Sequence, residues 1–174
     1  MKRRDFLLRI AGLVAAPAVL AGSLRRLTAA AADTPDVEPL DKSLEEWRRL
    51  LDRPQYNVLF EERTERAFTS PLNDEKRAGT FICAACNLPL FEAATKYDSH
   101  TGWPSFYQPI PGRLGTKTDF KIGYPRTEYH CARCGGHQGH IFDDGPPPTG
   151  KRYCNNGVAL LFVPDGEELP ELRP

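Results

Sequence analysis

Five cysteines and four histidines are the side chains of this 174-residue protein best suited to chemistry, and their spacing divides them into groups. Cys83-Ala-Ala-Cys86 and Cys131-Ala-Arg-Cys134 are two Cys-x-x-Cys pairs. Each fits a tight turn that aims both sulfurs at one point, and two such turns supply the four thiolates of a tetrahedral Zn2+ site. Gly135 and Gly136 behind the second pair permit the close backbone approach that such a turn requires. Two disulfides or an iron–sulfur cluster are the rival uses of these side chains. Four sulfurs leave no position for water, so the metal's role would be structural, tying two halves of a small domain together.

Cys154 is left over, as either a buried hydrophobe or a reactive thiol. Its neighbours favour reactivity. On a strand, Arg152 and Asn156 would share its side, the first lowering the thiol pKa and the second donating to a thiolate. His137-Gln-Gly-His140, followed by Asp143 and Asp144, puts imidazoles and carboxylates shortly before it. Imidazole is the group that exchanges protons near neutral pH. A zinc-ligand role for His137 or His140 competes, but four cysteines already fill the coordination sphere. His100 and His130 fit structural hydrogen bonding.

The elements that position these groups lie after an address. Lys2, Arg3 and Arg4 precede an apolar stretch from Ile10 to about Gly22, and a small-residue tract runs from Thr28 to Ala32. This is the pattern of a secretory signal, too short for a spanning helix, which needs about 20 residues. Arg3-Arg4 followed by Asp-Phe-Leu resembles the twin-arginine export signal, which implies a protein folded before export to the bacterial periplasm. An uncleaved anchor is the alternative, kept open by Arg25 and Arg26. The overall balance of 23 Lys+Arg against 23 Asp+Glu is thus a sum of unlike parts. The first 32 residues carry six basic and one acidic side chain, leaving 17 against 22 in the remainder. A mildly acidic domain argues against nucleic acid as a partner. The membrane would be met only through the export signal.

Residues 33–42 read as a polar, Pro-bearing linker. Ser43 with Glu46 forms a capping box, so a helix should start there, with Leu44, Trp47, Leu50 and Leu51 on one face and Pro54 as its stop. Tyr56 to Phe68 suits a short strand or a second short helix. Beyond Gly79, short apolar runs broken by Gly and Pro indicate an all-β sandwich or barrel. They are Thr80–Ile82, Leu88–Phe91, Trp103–Ile110, Phe120–Tyr124, Thr127–His130, His140–Phe142 and Val158–Val163. The domain then spans 43–164, and 165–174 form a charged tail expected to fray.

Several ordered stretches resemble B-type methionine sulfoxide reductases of the zinc-containing kind. They are Lys96 to Phe106, Arg126-Thr127-Glu128, His137 to Phe142, Asp144-Gly145-Pro146 and Arg152-Tyr153-Cys154. The resemblance covers roughly 43–164. It implies two small antiparallel sheets with short N-terminal helices, a structural zinc, and reduction of the R epimer of methionine sulfoxide in proteins. It implies Cys154 as the nucleophile, which becomes a sulfenic acid. His140 and Asp144 would position water and supply the proton, with His137 as the pocket's other imidazole. Arg152 and Asn156 would stabilise the thiolate. Trp103, with Phe142, would form the wall that receives the substrate's methyl group.

Two departures stand out. Asn155-Asn156-Gly157 replaces the usual Ile-Asn-Ser after the nucleophile, and Thr101 occupies the position where many members carry a resolving cysteine. With four cysteines on zinc, no sixth thiol can trap the sulfenic acid, so an external thioredoxin-like thiol reductant is expected. A monomer is the default. A zinc-ribbon-like binding module would explain four cysteines but not Trp103, His140, Arg152 or Cys154. A peroxide- or disulfide-handling enzyme would want a second redox-active cysteine.

Overall fold

The computed structural model describes residues 37–174, so residues 1–32, read above as an export signal, and residues 33–36 of the expected linker lie outside the described residues. Helix α1 (Leu44–Leu50) starts on Ser43, whose hydroxyl accepts from the Glu46 N–H at 3.3 Å while the Ser43 N–H donates to the Glu46 carboxylate at 2.9 Å. Its buried contacts are narrower than expected. Trp47 and the capping Leu51 are buried, but Leu44 and Leu50 are about half exposed. Pro54 does more than stop this helix. It sits in the first turn of α2 (Arg53–Leu59), where a missing N–H leaves no helical bond unmade. Asp52 and Gln55 cap that second helix, which settles the ambiguous segment after Tyr56. Trp47 then stacks on Phe60 with ring centroids 5.1 Å apart.

The rest is mainly β, in two antiparallel sheets. The smaller has the order β2 (Pro89–Glu92), β1 (Gly79–Cys83), β9 (Leu160–Pro164). The larger runs β3 (Lys96–Tyr97), β4 (Ser105–Phe106), β8 (Arg152–Asn155), β7 (His137–Phe142), β6 (Arg126–Cys131), β5 (Leu114–Asp119). An aromatic cluster joins them: Phe106 of the larger sheet stacks on Phe91 at 4.2 Å and meets Phe81 edge-on at 5.0 Å.

Three expectations change here. Phe120–Tyr124 is a turn, with Phe120, Ile122 and Tyr124 exposed, while the strand before it, Leu114–Asp119, is mostly polar. As an edge strand with an outward face, β5 does not need an apolar pattern. Within Trp103–Ile110 only Ser105 and Phe106 pair as strand. The tail is anchored: the Arg173 N–H donates to the Cys86 carbonyl, Arg133 donates to the Arg173 carbonyl at 2.6 Å, and Asn87 donates to the Glu171 carbonyl at 2.8 Å.

One close approach fixes a residue type. A Cβ on Gly139 would lie 1.8 Å from the Cys154 carbonyl oxygen, across the β7–β8 pair. Backbone cannot yield as a flexible side chain can, so Gly139→Ala should destabilise the domain by about 3 kcal/mol or more. A calorimetric scan should show Tm lower by roughly 10 °C; an unchanged Tm would contradict this packing.

Candidate active site

Strand register builds the site. In β4, β8, β7, β6 and β5 the directly opposed residues are Ser105, Cys154, His140, Glu128 and Lys117. Opposed residues of neighbouring strands project to the same face, so one row across the sheet carries the thiol, the imidazole and the carboxylate side by side. A cavity of about 100 Å³ opens over this row, and its walls include Trp103, Phe142, His140, Cys154, Thr64 and Arg126.

Cys154 is half-buried. Burial pushes its thiol above the ordinary value, while the Arg152 charge and hydrogen bonds from Thr101 and Arg152 pull against that. The sequence led us to expect a lowered pKa, but desolvation outweighs the cation here. Thr101, at the position of the missing resolving cysteine, therefore sits against the sulfur. Its hydroxyl also bonds that of Ser99 at 2.8 Å, and Ser99 bonds Ser105 at 2.7 Å.

Arg152 is held on two sides. Asp144 takes two hydrogen bonds from it, each 2.8 Å, and its guanidinium lies 4.3 Å from the Phe142 ring centroid. The structure thus places Asp144 on the arginine, with its carboxylate largely in solvent and not among the cavity walls. That arrangement orients Arg152 beside the thiol. Neutralising Arg152 disfavours the thiolate, so Arg152→Met should slow iodoacetamide labelling of Cys154 at pH 8 several-fold, followed by peptide mass spectrometry. Equal labelling rates would remove Arg152 from the thiolate's surroundings.

Asn156 lines the cavity but does not turn its amide to the sulfur. Its oxygen accepts from the Glu65 N–H at 2.9 Å and its nitrogen donates to the Gln138 carbonyl at 2.9 Å. Both bonds to backbone are satisfied, so the expected donation to the thiolate gives way to anchoring. Glu65 continues that anchor: its carbonyl accepts from the Trp103 indole at 2.9 Å, and its carboxylate accepts from the Gly157 N–H at 2.6 Å. The indole is thereby fixed as a wall. The departures after Cys154 also find partners. Buried Asn155 accepts from the Tyr129 hydroxyl at 2.7 Å and donates to the Asn156 carbonyl at 2.8 Å. At Gly157 a Cβ would meet Ser70 Oγ at 1.8 Å, so the Ser70 hydroxyl fills the space a side chain would take.

The two imidazoles are distinct. His140 lines the cavity, and its Nε2 is 2.8 Å from Asp119. Burial lowers its pKa, with Asp119 opposing. His137 is fully buried behind it, the rings meeting edge-on at 5.4 Å, and its Nδ1 is 2.7 Å from Glu128. Burial raises the Glu128 carboxyl, yet hydrogen bonds from His130 and His137 and the nearby Lys117 charge bring it down to about 2. Arg126 and Glu128 lie within the Arg126-Thr127-Glu128 stretch, whereas Asp119, Thr64 and Glu65 carry no local signal in the sequence.

Beyond the cavity, Cys83, Cys86, Cys131 and Cys134 come together, all buried, with their sulfurs within 4.8 Å of one another. Cys83 to Cys134 is 3.6 Å and Cys86 to Cys131 is 3.5 Å, close to the roughly 3.8 Å edge of a tetrahedron with metal–sulfur bonds of about 2.3 Å. Gln138 reaches Cys83 Sγ with an N–H donor at 3.5 Å, the kind of contact that supports a ligating thiolate. The donor set is that of a closed structural metal site.

Comparison with known proteins agrees with this geometry. A family model described as the SelR domain matches residues 51–164. The chain is 54% identical over 129 residues to the peptide methionine sulfoxide reductase MsrB of Pseudomonas putida (strain W619), covering 74% of this chain and 97% of that protein. It is 48% identical over 126 residues to the MsrB of Agrobacterium fabrum, covering 72% and 93%. It is 52% identical over 117 residues to the chloroplastic peptide methionine sulfoxide reductase B1 of Oryza sativa subsp. japonica, covering 67% and 55%. With the matched region spanning both sheets, the cavity and the four-cysteine cluster, this chain belongs to the SelR-domain family of MsrB peptide methionine sulfoxide reductases.

Proposed function

We propose that this protein reduces the R epimer of methionine sulfoxide in oxidised proteins, with Cys154 as nucleophile and an external thiol as reductant. The observation that carries the reading is the opposed pair Cys154 and His140 beneath a cavity walled by Trp103 and Phe142. The Cys154 thiolate attacks the sulfoxide sulfur while the sulfoxide oxygen takes a proton. The S–O bond to methionine breaks, an S–O bond to Cys154 forms, and methionine leaves. Cys154 is oxidised to a sulfenic acid and the substrate sulfur is reduced. Two thiols then return Cys154 to the thiol, forming water and their own disulfide. His140, opposed to Cys154 across β7 and β8, donates the proton, and Arg152 and Thr101 hold the thiolate when it forms.

The four-cysteine cluster would hold a Zn2+ ion, which supplies cross-linking and no reaction chemistry. A thioredoxin-like protein would recycle Cys154, because Thr101 brings a hydroxyl to the position from which a resolving thiol would act. Residues 1–32 carry the pattern of a twin-arginine signal, and with it a periplasmic location. A non-catalytic zinc-ribbon-like module is not favoured, since it leaves the Cys154 cavity without a purpose.

Turnover of epimer-resolved peptide sulfoxides with dithiothreitol tests the reading: the R epimer should be consumed and the S epimer left. Equal consumption of both removes the epimer assignment. Mass spectrometry of the oxidised, metal-loaded protein should show a sulfenic acid or its adduct at Cys154. An internal disulfide there overturns external recycling.

A further inference from the structure

We propose that Asp119 is a positioning residue for this reaction, fixing the tautomer and orientation of His140 so that Nδ1 is the nitrogen exchanging the substrate proton. The proposal rests on the catalytic reading above.

Asp119 ends β5 with its side chain almost fully covered. Its Oδ1 accepts from the Lys121 backbone N–H at 2.7 Å, which fixes the carboxylate at the start of the turn. Its Oδ2 lies 2.8 Å from His140 Nε2 and accepts from Arg126 at 2.5 Å. Arg126 is its opposed partner on β6 and also lines the cavity. An ionised carboxylate only accepts hydrogen bonds, so His140 Nε2 must carry the hydrogen. The carboxylate is held ionised, well below its usual range, by the Lys121 N–H and then by His140 and Arg126. Nδ1 is therefore the nitrogen whose protonation changes during turnover. A nucleophile, a proton-exchanging group and a third residue that orients it form the arrangement by which such sites are recognised.

The neighbourhood of His140 sets the sign of a pH test. Asp119 faces it from β5, Arg126 and Glu128 from β6, His137 from its own strand, and Cys154 from β8. Asp119 favours the protonated imidazole, whereas burial and the Arg126 charge disfavour it. Asp119→Asn removes the favourable charge while keeping an oxygen for the Lys121 N–H. Less of His140 is then protonated at a given pH, and the alkaline limb of the rate profile moves to lower pH.

The experiment uses the full chain with dithiothreitol and an R-methionine sulfoxide peptide. Asp119→Asn should lower kcat about tenfold or more, leave KM within about twofold, and shift the alkaline limb down, while Asp119→Glu recovers part of kcat. A smaller fall in kcat, or an unmoved limb, overturns the proposal. Nitrogen-15 imidazole spectra of the wild type give a reading that does not depend on the variant folding. Hydrogen on His140 Nε2 supports the assignment and hydrogen on Nδ1 in the neutral form overturns it. Failure of the catalytic reading itself would show separately, as no wild-type turnover or as turnover that survives Cys154→Ser.

Discussion

Cys154→Ser should lower methionine sulfoxide turnover by about three orders of magnitude or more while leaving the fold intact. The substitution exchanges sulfur for oxygen on the same short side chain, half-buried at the centre of the row formed by Ser105, Cys154 and His140. No core contact depends on the larger atom, because the thiol faces the cavity while the buried aromatic cluster lies around Phe81, Phe91 and Phe106. The chemistry does depend on it. A serine hydroxyl is a far poorer nucleophile toward sulfur, and it has no stable oxidised form to accept the substrate's oxygen. Arg152, Thr101 and His140 would then surround a group they cannot activate. Turnover with dithiothreitol and a melting curve check both halves. Residual activity above a few per cent would sink the nucleophile assignment, whatever the Tm.

The site was legible in the sequence to an unequal degree, and the reason is register. Cys154, His140 and Trp103 announce themselves by residue type, and the two Cys-x-x-Cys pairs by spacing. What joins them is a row crossing five strands, and strand pairing leaves no mark on a single sequence. Strand β5 is mostly polar because it sits at an edge, so the apolar pattern points to the turn after it and not to Lys117 and Asp119. An irregularity between Tyr129 and His130 further breaks the alternation of β6, so Glu128 cannot be placed opposite His140 by counting. Asn156 and Asp144 illustrate a second limit. Their types permit a bond to the thiolate or to water, yet tertiary contacts with Glu65, Gln138 and Arg152 take those atoms first. The capping boxes of α1 and α2 were the easier part, being local to a few residues.

Removing the proposed zinc should unfold the domain, and losing one ligand should have the same effect. Cys83 closes β1 of the smaller sheet and Cys131 closes β6 of the larger, so the cluster ties one sheet to the other. The surrounding layer depends on the same two turns. Leu59 of α2 lies where a Cβ on Gly136 would clash, at 2.9 Å, and the tail is bonded to Cys86, Asn87 and Arg133. Structural zinc binding to small domains is worth about 10–16 kcal/mol, as much as or more than the roughly 5–15 kcal/mol by which a typical domain is stable. Without the metal, four buried thiols would remain with no common partner. Cys131→Ser should therefore give insoluble or unfolded protein. Prolonged incubation with a strong chelator should erase the β signal in far-ultraviolet circular dichroism together with activity, and added Zn2+ should restore both. The contrast with Cys154→Ser is the sharper test: that variant loses turnover and keeps its Tm, whereas the ligand variant loses its Tm and turnover only with it. A metal-free protein of unchanged Tm would show that packing between the sheets suffices, and that the four sulfurs are passengers in the fold.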